Sequence, residues 1–236
     1  MYEAVLFDMD GVVADTEQSV TEFWQRLAGD LGYLLGAEDL ERHVYGHRAD
    51  HTLRVLFPEI PASRHDEIYR QLRENQESLV YTAIPGVLSL LGALSQAGVP
   101  LALVTGAQDW KAAEVLRQLG LPAAFDVVIC ADDVPYGKPD PAGYLLAAER
   151  LSVGIGRCLV FEDAVSGVVS AVAAGAACVA LATSRRAAQV LDAGATAVVP
   201  DFRDAAFDAL TRTLRVDART GFSFALERES QRIDVG

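Results

Sequence analysis

At 236 residues the chain is long enough for one large domain or a core with a smaller insert, and 51% hydrophobic against 22% charged residues leaves ample material for a sizeable core. A net charge of −13 suits neither a nucleic-acid backbone nor an anionic membrane surface, so no nucleic acid and no membrane is expected as a partner. Cys130, Cys158 and Cys178 follow neither a disulfide nor a zinc spacing and lie in or beside apolar runs; they read as buried free thiols in a cytoplasmic setting, with no signal peptide and no apolar run of spanning length expected.

Taken in order, Ala4 to Phe7 reads as a buried strand ending on Asp8 and Asp10, with Gly11 behind them. Carboxylates at the carboxyl end of a central strand sit where open α/β sheets keep their ligands. One of the two can serve as a nucleophile held by a divalent cation while the other handles a proton. A polar turn with two solvated acids is the competing reading of this stretch alone. A helix is then predicted over 16–31, with Val20, Phe23, Trp24 and Leu27 on one face, followed by helical segments over 38–45, 48–56 and 62–81. Nothing there alternates as a strand. The simplest organisation is a helical insert over 16–84, closing near Ala83 to Gly86, set into a core made of 1–15 and 85–236.

From Pro85 onward helices over 87–96, 109–119, 140–151, 166–174 and 187–191 alternate with apolar strands over 99–104, 126–130, 157–161, 178–181 and 197–199. Strands of this kind separated by helices mark an α/β fold, a parallel sheet covered on both faces. A closing helix is predicted over 205–214, a short edge strand over 220–226, and a mostly polar tail over 227–236 without a chemical role.

Polar groups recur at the strand ends: Asp8 and Asp10, Thr105 with Gly106, Lys138 in the loop after 126–130, and Glu162 with Asp163. Asp8, Asp163 and, directly or through water, Glu162 supply the hard oxygens that Mg2+ takes. Carboxylates crowded without a cation would repel one another and raise at least one pKa. Thr105 can offer its hydroxyl and N–H to a phosphate, and Lys138 a point charge beside the nucleophile. Asp132 and Asp133 read as solvated. Trp110 suits either the substrate mouth or packing.

Asp8-Met-Asp10-Gly-Val-Val-Ala-Asp15-Thr resembles the first motif of the haloacid-dehalogenase (HAD) superfamily, in its β-phosphoglucomutase-like phosphatase and phosphomutase branch. Thr105-Gly106 resembles the second motif, Gly137-Lys138-Pro-Asp140-Pro141 the third, and Glu162-Asp163-Ala-Val-Ser-Gly167 the fourth, in the family's order. The resemblance implies a Rossmann-like sheet of strand order 3-2-1-4-5 and a type 1 cap made by the helical insert. It makes Asp8 nucleophile and metal ligand, and Asp10 acid-base with its backbone carbonyl on the metal. Thr105, Gly106 and Lys138 then hold the phosphate, and Asp163 with Glu162 completes the metal site.

In the insert, Tyr45-Gly46-His47-Arg48-Ala-Asp50 resembles the loop in which related proteins use an arginine to bind a distal acidic group. Arg48 is accordingly expected to anchor substrate, with His47 as a further contact; a surface arginine paired with Asp50 is the alternative. His43, His47 and His51 recur every fourth residue but fit no recognised metal pattern. β-Phosphoglucomutases carry a histidine in the first cap helix where Val20 aligns here, which favours a phosphatase over a mutase. The expected activity is magnesium-dependent hydrolysis of a small phosphate monoester, a sugar phosphate or similar metabolite, by a monomer or homodimer. The rivals are a sugar phosphomutase and a phosphoester-binding protein without turnover.

Overall fold

A computed structural model describes residues 1–182, 186–217 and 221–226. In chain order the strands are β1 (Ala4–Phe7), β2 (Ala14–Asp15), β3 (Thr82–Ala83), β4 (Leu101–Val104), β5 (Val127–Ile129), β6 (Cys158–Glu162), β7 (Ala177–Leu181), β8 (Ala197–Val199), β9 (Ala206–Asp208), β10 (Thr213–Arg215) and β11 (Ser223–Ala225). The α-helices are α1 (Glu17–Asp30), α2 (Ala37–His43), α3 (Ala49–Leu56), α4 (His65–Glu77), α5 (Val87–Gln96), α6 (Asp109–Gln118), α7 (Ala142–Arg150), α8 (Val165–Ala174) and α9 (Ala187–Asp192).

Six strands form one parallel sheet in the order β5-β4-β1-β6-β7-β8. This is the expected 3-2-1-4-5 arrangement with 197–199 added beyond the fifth strand. Every residue of β1 is fully buried, as a central parallel strand requires. Its side chains alternate between two cores. Val5 and Phe7 face a layer with Leu90, Leu94, Val115 and Phe202, whereas Ala4 and Leu6 face one with Tyr144, Ala147, Val168 and Ala171. Phe7 stacks on Phe161 with centroids 5.1 Å apart, so β1 and β6 are locked side by side where their carboxyl ends carry acids.

The four helices of 17–77 enclose a third core of Phe23, Trp24, Ala28, Leu40, Leu53, Phe57 and Ile68. The insert is entered and left through a two-stranded ribbon, Ala14 opposite Ala83 and Asp15 opposite Thr82, where the sequence predicts no strand. The predicted helix over 62–81 is a single 3₁₀ turn followed by α4.

The largest departure lies near the end. Residues 205–214 are not a helix but β9 and the turn into β10, part of a three-stranded antiparallel sheet with β11. The Asp208 carboxylate accepts the N–H groups of Leu210 and Thr211 and so stabilises a turn. Leu214 and Phe224 are buried between exposed or half-buried neighbours, and this period of two outweighs the helical propensity of the alanines. The edge strand expected over 220–226 exists, but in this small sheet rather than the main one. The tail over 227–236 lies outside the described residues.

Candidate active site

Asp8 follows β1 directly and donates its N–H to the Phe161 carbonyl at 2.9 Å. Thr105 follows β4, with its N–H on Ile129 O at 2.9 Å and its hydroxyl oxygen accepting Ala107 N–H at 3.1 Å. That leaves the hydroxyl hydrogen to be given elsewhere. Glu162 ends β6, and Asp163 comes next. Because β4 and β6 flank β1, three loops converge on one point at the carboxyl edge of the sheet.

Lys138 reaches the same point from the loop before α7. Its buried ammonium bonds Asp8 Oδ1, lies 2.6 Å from Glu162 Oε1 and 3.0 Å from Val104 O, and sits 5.2 Å from the centre of the Tyr144 ring. Burial opposes its charge, but Asp8 and Glu162 outweigh that and hold the amine above its usual range. The carboxyl of Asp8 is pushed up to about 7 by burial, which Lys138 only partly offsets and Glu162 and Asp10 reinforce. Asp163 is raised well above the ordinary value by burial and then by Asp8 and Glu162.

Asp8, Glu162 and Asp163 each bring one carboxylate oxygen within 4.8 Å of the other two. Three hard oxygens with a single ammonium between them fit a divalent cation such as Mg2+, whose charge would relieve the repulsion that raises Asp8 and Asp163. A cradle for Asp163 is built into the backbone: Gly11 has φ +77°, and a Cβ there would fall 2.1 Å from Asp163 Oδ2. Glu162 stands apart from the other two. It is fully buried, its Oε1 also accepts the Tyr144 hydroxyl at 2.6 Å, and its Oε2 accepts Asp163 N–H at 3.0 Å. With donors on both oxygens, it is tied to Lys138, to Tyr144 and to the 163 backbone.

Above these groups lies a cavity of about 260 Å³ between the helical insert and the sheet edge. Asp8, Asp10, Gly106 and Asp163 form its floor, and Val20, Trp24, Tyr69 and Trp110 form much of its wall. Gly46, at φ +71°, lets the insert touch the core: a Cβ would come within 2.5 Å of Ser166 Oγ. Gly106 in turn lies under the backbone of Gly46 and His47.

Arg48 and His47 both line the cavity, and each also has partners of its own. Arg48 Nη1 donates to Ala131 O at 3.1 Å and Val134 O at 3.3 Å, and its Nε pairs with Asp50 at 3.3 Å. The guanidinium thus straps the insert to the loop after β5, an arrangement beyond the simple Asp50 pairing considered for it. His47 stacks on His51 at 4.2 Å, and burial together with His51 and His43 lowers its imidazole to about 4, so it is neutral at physiological pH. The three histidines form no metal-ligand group of three among the described residues. Asp132 lines the cavity, whereas Asp133 accepts Cys130 N–H and pairs with Arg150. All three cysteines are buried and free.

Sequence reasoning missed four partners. The Thr16 hydroxyl donates to Asp10 Oδ1 at 2.6 Å, and the Lys111 ammonium contacts the same oxygen at 2.7 Å. Burial alone would raise the Asp10 carboxyl, but these contacts outweigh it and hold it below the usual range. Tyr144 braces Glu162 from the second core. Arg186 spans core and insert, bonding Glu17 and lying 3.2 Å from Glu41 and 5.3 Å from the Tyr45 ring. Only Thr16 left a signal, as the Thr of Asp15-Thr16 that opens α1.

Among the described residues no helix is long and apolar enough to cross a membrane. Residues 2–175 match the model of the haloacid dehalogenase-like hydrolases. The chain is 37% identical over 177 residues to the phosphorylated carbohydrates phosphatase of Thermotoga maritima, covering 73% of this chain and 82% of that protein. It is 35% identical over 172 residues to hexitol phosphatase A of Escherichia coli, covering 72% and 78%. The structure of a HAD family hydrolase from Deinococcus radiodurans, with bound phosphate and sodium, superposes with a TM-score of 0.65 at 30% identity, covering 84% of this chain and 90% of that one. With its acidic cluster, its parallel sheet and its family match in agreement, the chain belongs to the haloacid dehalogenase-like hydrolases, as a phosphatase-type enzyme centred on aspartate.

Proposed function

We propose that the protein is a magnesium-dependent phosphatase of monophosphorylated sugars or polyols, acting through an aspartyl-phosphate on Asp8. The observation that carries this reading is the pairing of Asp8 and Asp163 on the floor of a cavity, with Lys138 bonded to Asp8 from behind, under walls that mix aromatic rings with Asp50, Asp132 and Glu17. Apolar ring faces and hydroxyl-accepting carboxylates suit a polyhydroxylated body. The similarity to phosphatases of phosphorylated carbohydrates and hexitols supports the same class. Arg48, already bonded to two carbonyls and Asp50, is a poor anchor for a second phosphate, which weighs against the mutase alternative.

In this mechanism Asp8 attacks phosphorus in line, forming the Asp8–phosphorus bond as the bond to the ester oxygen breaks. Asp10 gives its proton to that oxygen and afterwards takes one from the water that hydrolyses the aspartyl-phosphate. Lys138 offsets the charge of Asp8 and the transferring group, and Thr105 and Gly106 hold the phosphate oxygens. Asp8, Asp163 and the Asp10 carbonyl would hold Mg2+, which when bound neutralises phosphoryl oxygens and orients them. Residues 16–84 act as a cap that closes over the cavity and excludes bulk water. The enzyme works in the cytoplasm on a freely diffusing metabolite, without membrane or nucleic-acid partner, as a monomer or homodimer.

The test is phosphate release from pentose, hexose and polyol phosphates with Mg2+, alongside EDTA and the D8N variant. Release that vanishes in both controls is the expected outcome. Conversion of β-glucose 1-phosphate to glucose 6-phosphate with little free phosphate would make the enzyme a mutase. Absence of turnover across the panel would overturn the catalytic reading.

A further inference from the structure

Lys111 sits in the first turn of α6, a position from which a lysine in a charged stretch normally reaches solvent. Here its side chain is only 7% exposed. Its ammonium reaches across to the loop after β1 and meets Asp10 Oδ1 at 2.7 Å, on the oxygen that also accepts the Thr16 hydroxyl at 2.6 Å. Lys111 and Asp10 both line the cavity. Burying a lysine is costly unless it is paired, so this placement has a stability cost that ordinary surface packing does not require.

Two donors on one carboxyl oxygen decide where that carboxyl keeps its proton. Oδ1, with lone pairs given to an ammonium and a hydroxyl, is the acceptor oxygen; a proton placed there would have to displace one of them. These contacts favour the carboxylate, so the acid form is the one regenerated in each turnover when water gives up its proton, and that proton resides on Oδ2. We propose that Lys111 is a positioning residue for proton transfer: with Thr16 it pins Asp10 Oδ1 so that Oδ2 alone delivers the proton to the leaving oxygen and later receives one from water. The idea rests on the reading of Asp10 as the acid-base group. In the first step the Asp10 Oδ2–H proton passes to the ester oxygen as the phosphorus–oxygen bond breaks. In the second, a water proton returns to Oδ2 as the water oxygen bonds phosphorus and the bond to Asp8 breaks.

A positioning role has a signature that a packing role lacks. An alkoxide leaving group needs the proton, whereas p-nitrophenolate departs without one. The experiment compares kcat/KM for sorbitol 6-phosphate, or the alkyl phosphate of the panel turned over fastest, with kcat/KM for p-nitrophenyl phosphate. K111M keeps the side-chain volume and removes the donor, and its alkyl-to-aryl ratio is expected to fall by about 30-fold or more, a part of the roughly 10²- to 10⁴-fold that general acid catalysis supplies. K111Q, which retains an N–H donor, is expected to fall between K111M and wild type. In a D10N background the K111M change is expected to leave the ratio where D10N alone puts it, because the group being positioned is gone. Equal losses on both substrates, an unchanged ratio in K111M, or a full further loss in the double variant would each overturn the proposal. A wild-type enzyme silent on both substrates would overturn the phosphatase reading and this role with it; an active wild type with an insensitive ratio would overturn Lys111 alone.

Discussion

The Tyr144 hydroxyl donates to Glu162 Oε1 inside the second core, where both residues are fully buried and the same oxygen meets Lys138. The phenol is held well above its usual pKa by burial and by Glu162, so it stays a donor throughout the working range. Y144F leaves Glu162 with one donor fewer in a place water does not reach. The expected loss is about 1–2 kcal/mol, a fall in Tm of roughly 2–8 °C for a chain of this size. Because Lys138 is then drawn more strongly to Glu162 and away from Asp8, kcat should drop several-fold as well. An unchanged melting curve would mean the hydroxyl adds nothing net, and unchanged kcat that Glu162 does not govern Lys138. The polar residues at strand ends could be read from sequence because each interrupts an otherwise apolar run. Lys111 could not: Asp109-Trp-Lys111-Ala-Ala-Glu114 reads as a solvated first turn, and its partner lies 101 residues earlier. Tyr144 was hidden for the opposite reason, since an aromatic among Leu145, Ala147 and Ala148 reads as packing, which it also is.

Between elements, specific polar ties among the described residues join the insert to the sheet edge. Arg48 bonds the carbonyls of the loop after β5, Gly46 lets the 45–48 loop press on Ser166, and Arg186 joins α1, α2 and Tyr45 to the segment before α9. An exposed ion pair contributes little, but the Arg186 side chain is 14% exposed and serves two carboxylates and a ring together. R186A and, independently, G46A are expected to favour the open arrangement. The apparent KM for the sugar phosphate should then rise about 5- to 30-fold, the equivalent of about 1–2 kcal/mol of closing free energy, with kcat reduced less. Unchanged KM in both variants would show that these ties do not govern closure. The cap helices were legible from their apolar periodicity, and the parallel core from its strand–helix alternation. What misled was local: at 205–214 alanines and leucine imitate a helix, and only the burial of Leu214 against β1's own core layer decides for strands.

At the scale of the whole molecule, a chain of net charge −13 concentrates three carboxylates at the heart of its fold with one lysine between them. Without a cation that arrangement works against stability, and the sign of its pH dependence follows from the shifts. Asp8 rises from 3.8 to about 7 in the fold. The native state therefore holds its proton more tightly than the unfolded chain. The stability this contributes is whole below about pH 4 and is lost as pH rises through about 7. Asp163 is shifted in the same direction and adds to the loss. In EDTA, D163N is accordingly expected to melt a few degrees above wild type at pH 8, through relief of about 1–2 kcal/mol of repulsion, and the gap should narrow as pH falls and the wild-type acid takes up its proton. Saturating Mg2+ reverses the order. At a hundred times its dissociation constant a bound ion adds about 2.7 kcal/mol, or roughly 5–11 °C, to wild type, while D163N, short of a ligand, gains far less. Equal gains in both proteins would place the cation elsewhere on the acidic surface. A D163N that melts below wild type in EDTA at pH 8 would mean that Lys138 and Arg186 already neutralise the cluster, leaving no electrostatic demand for the metal.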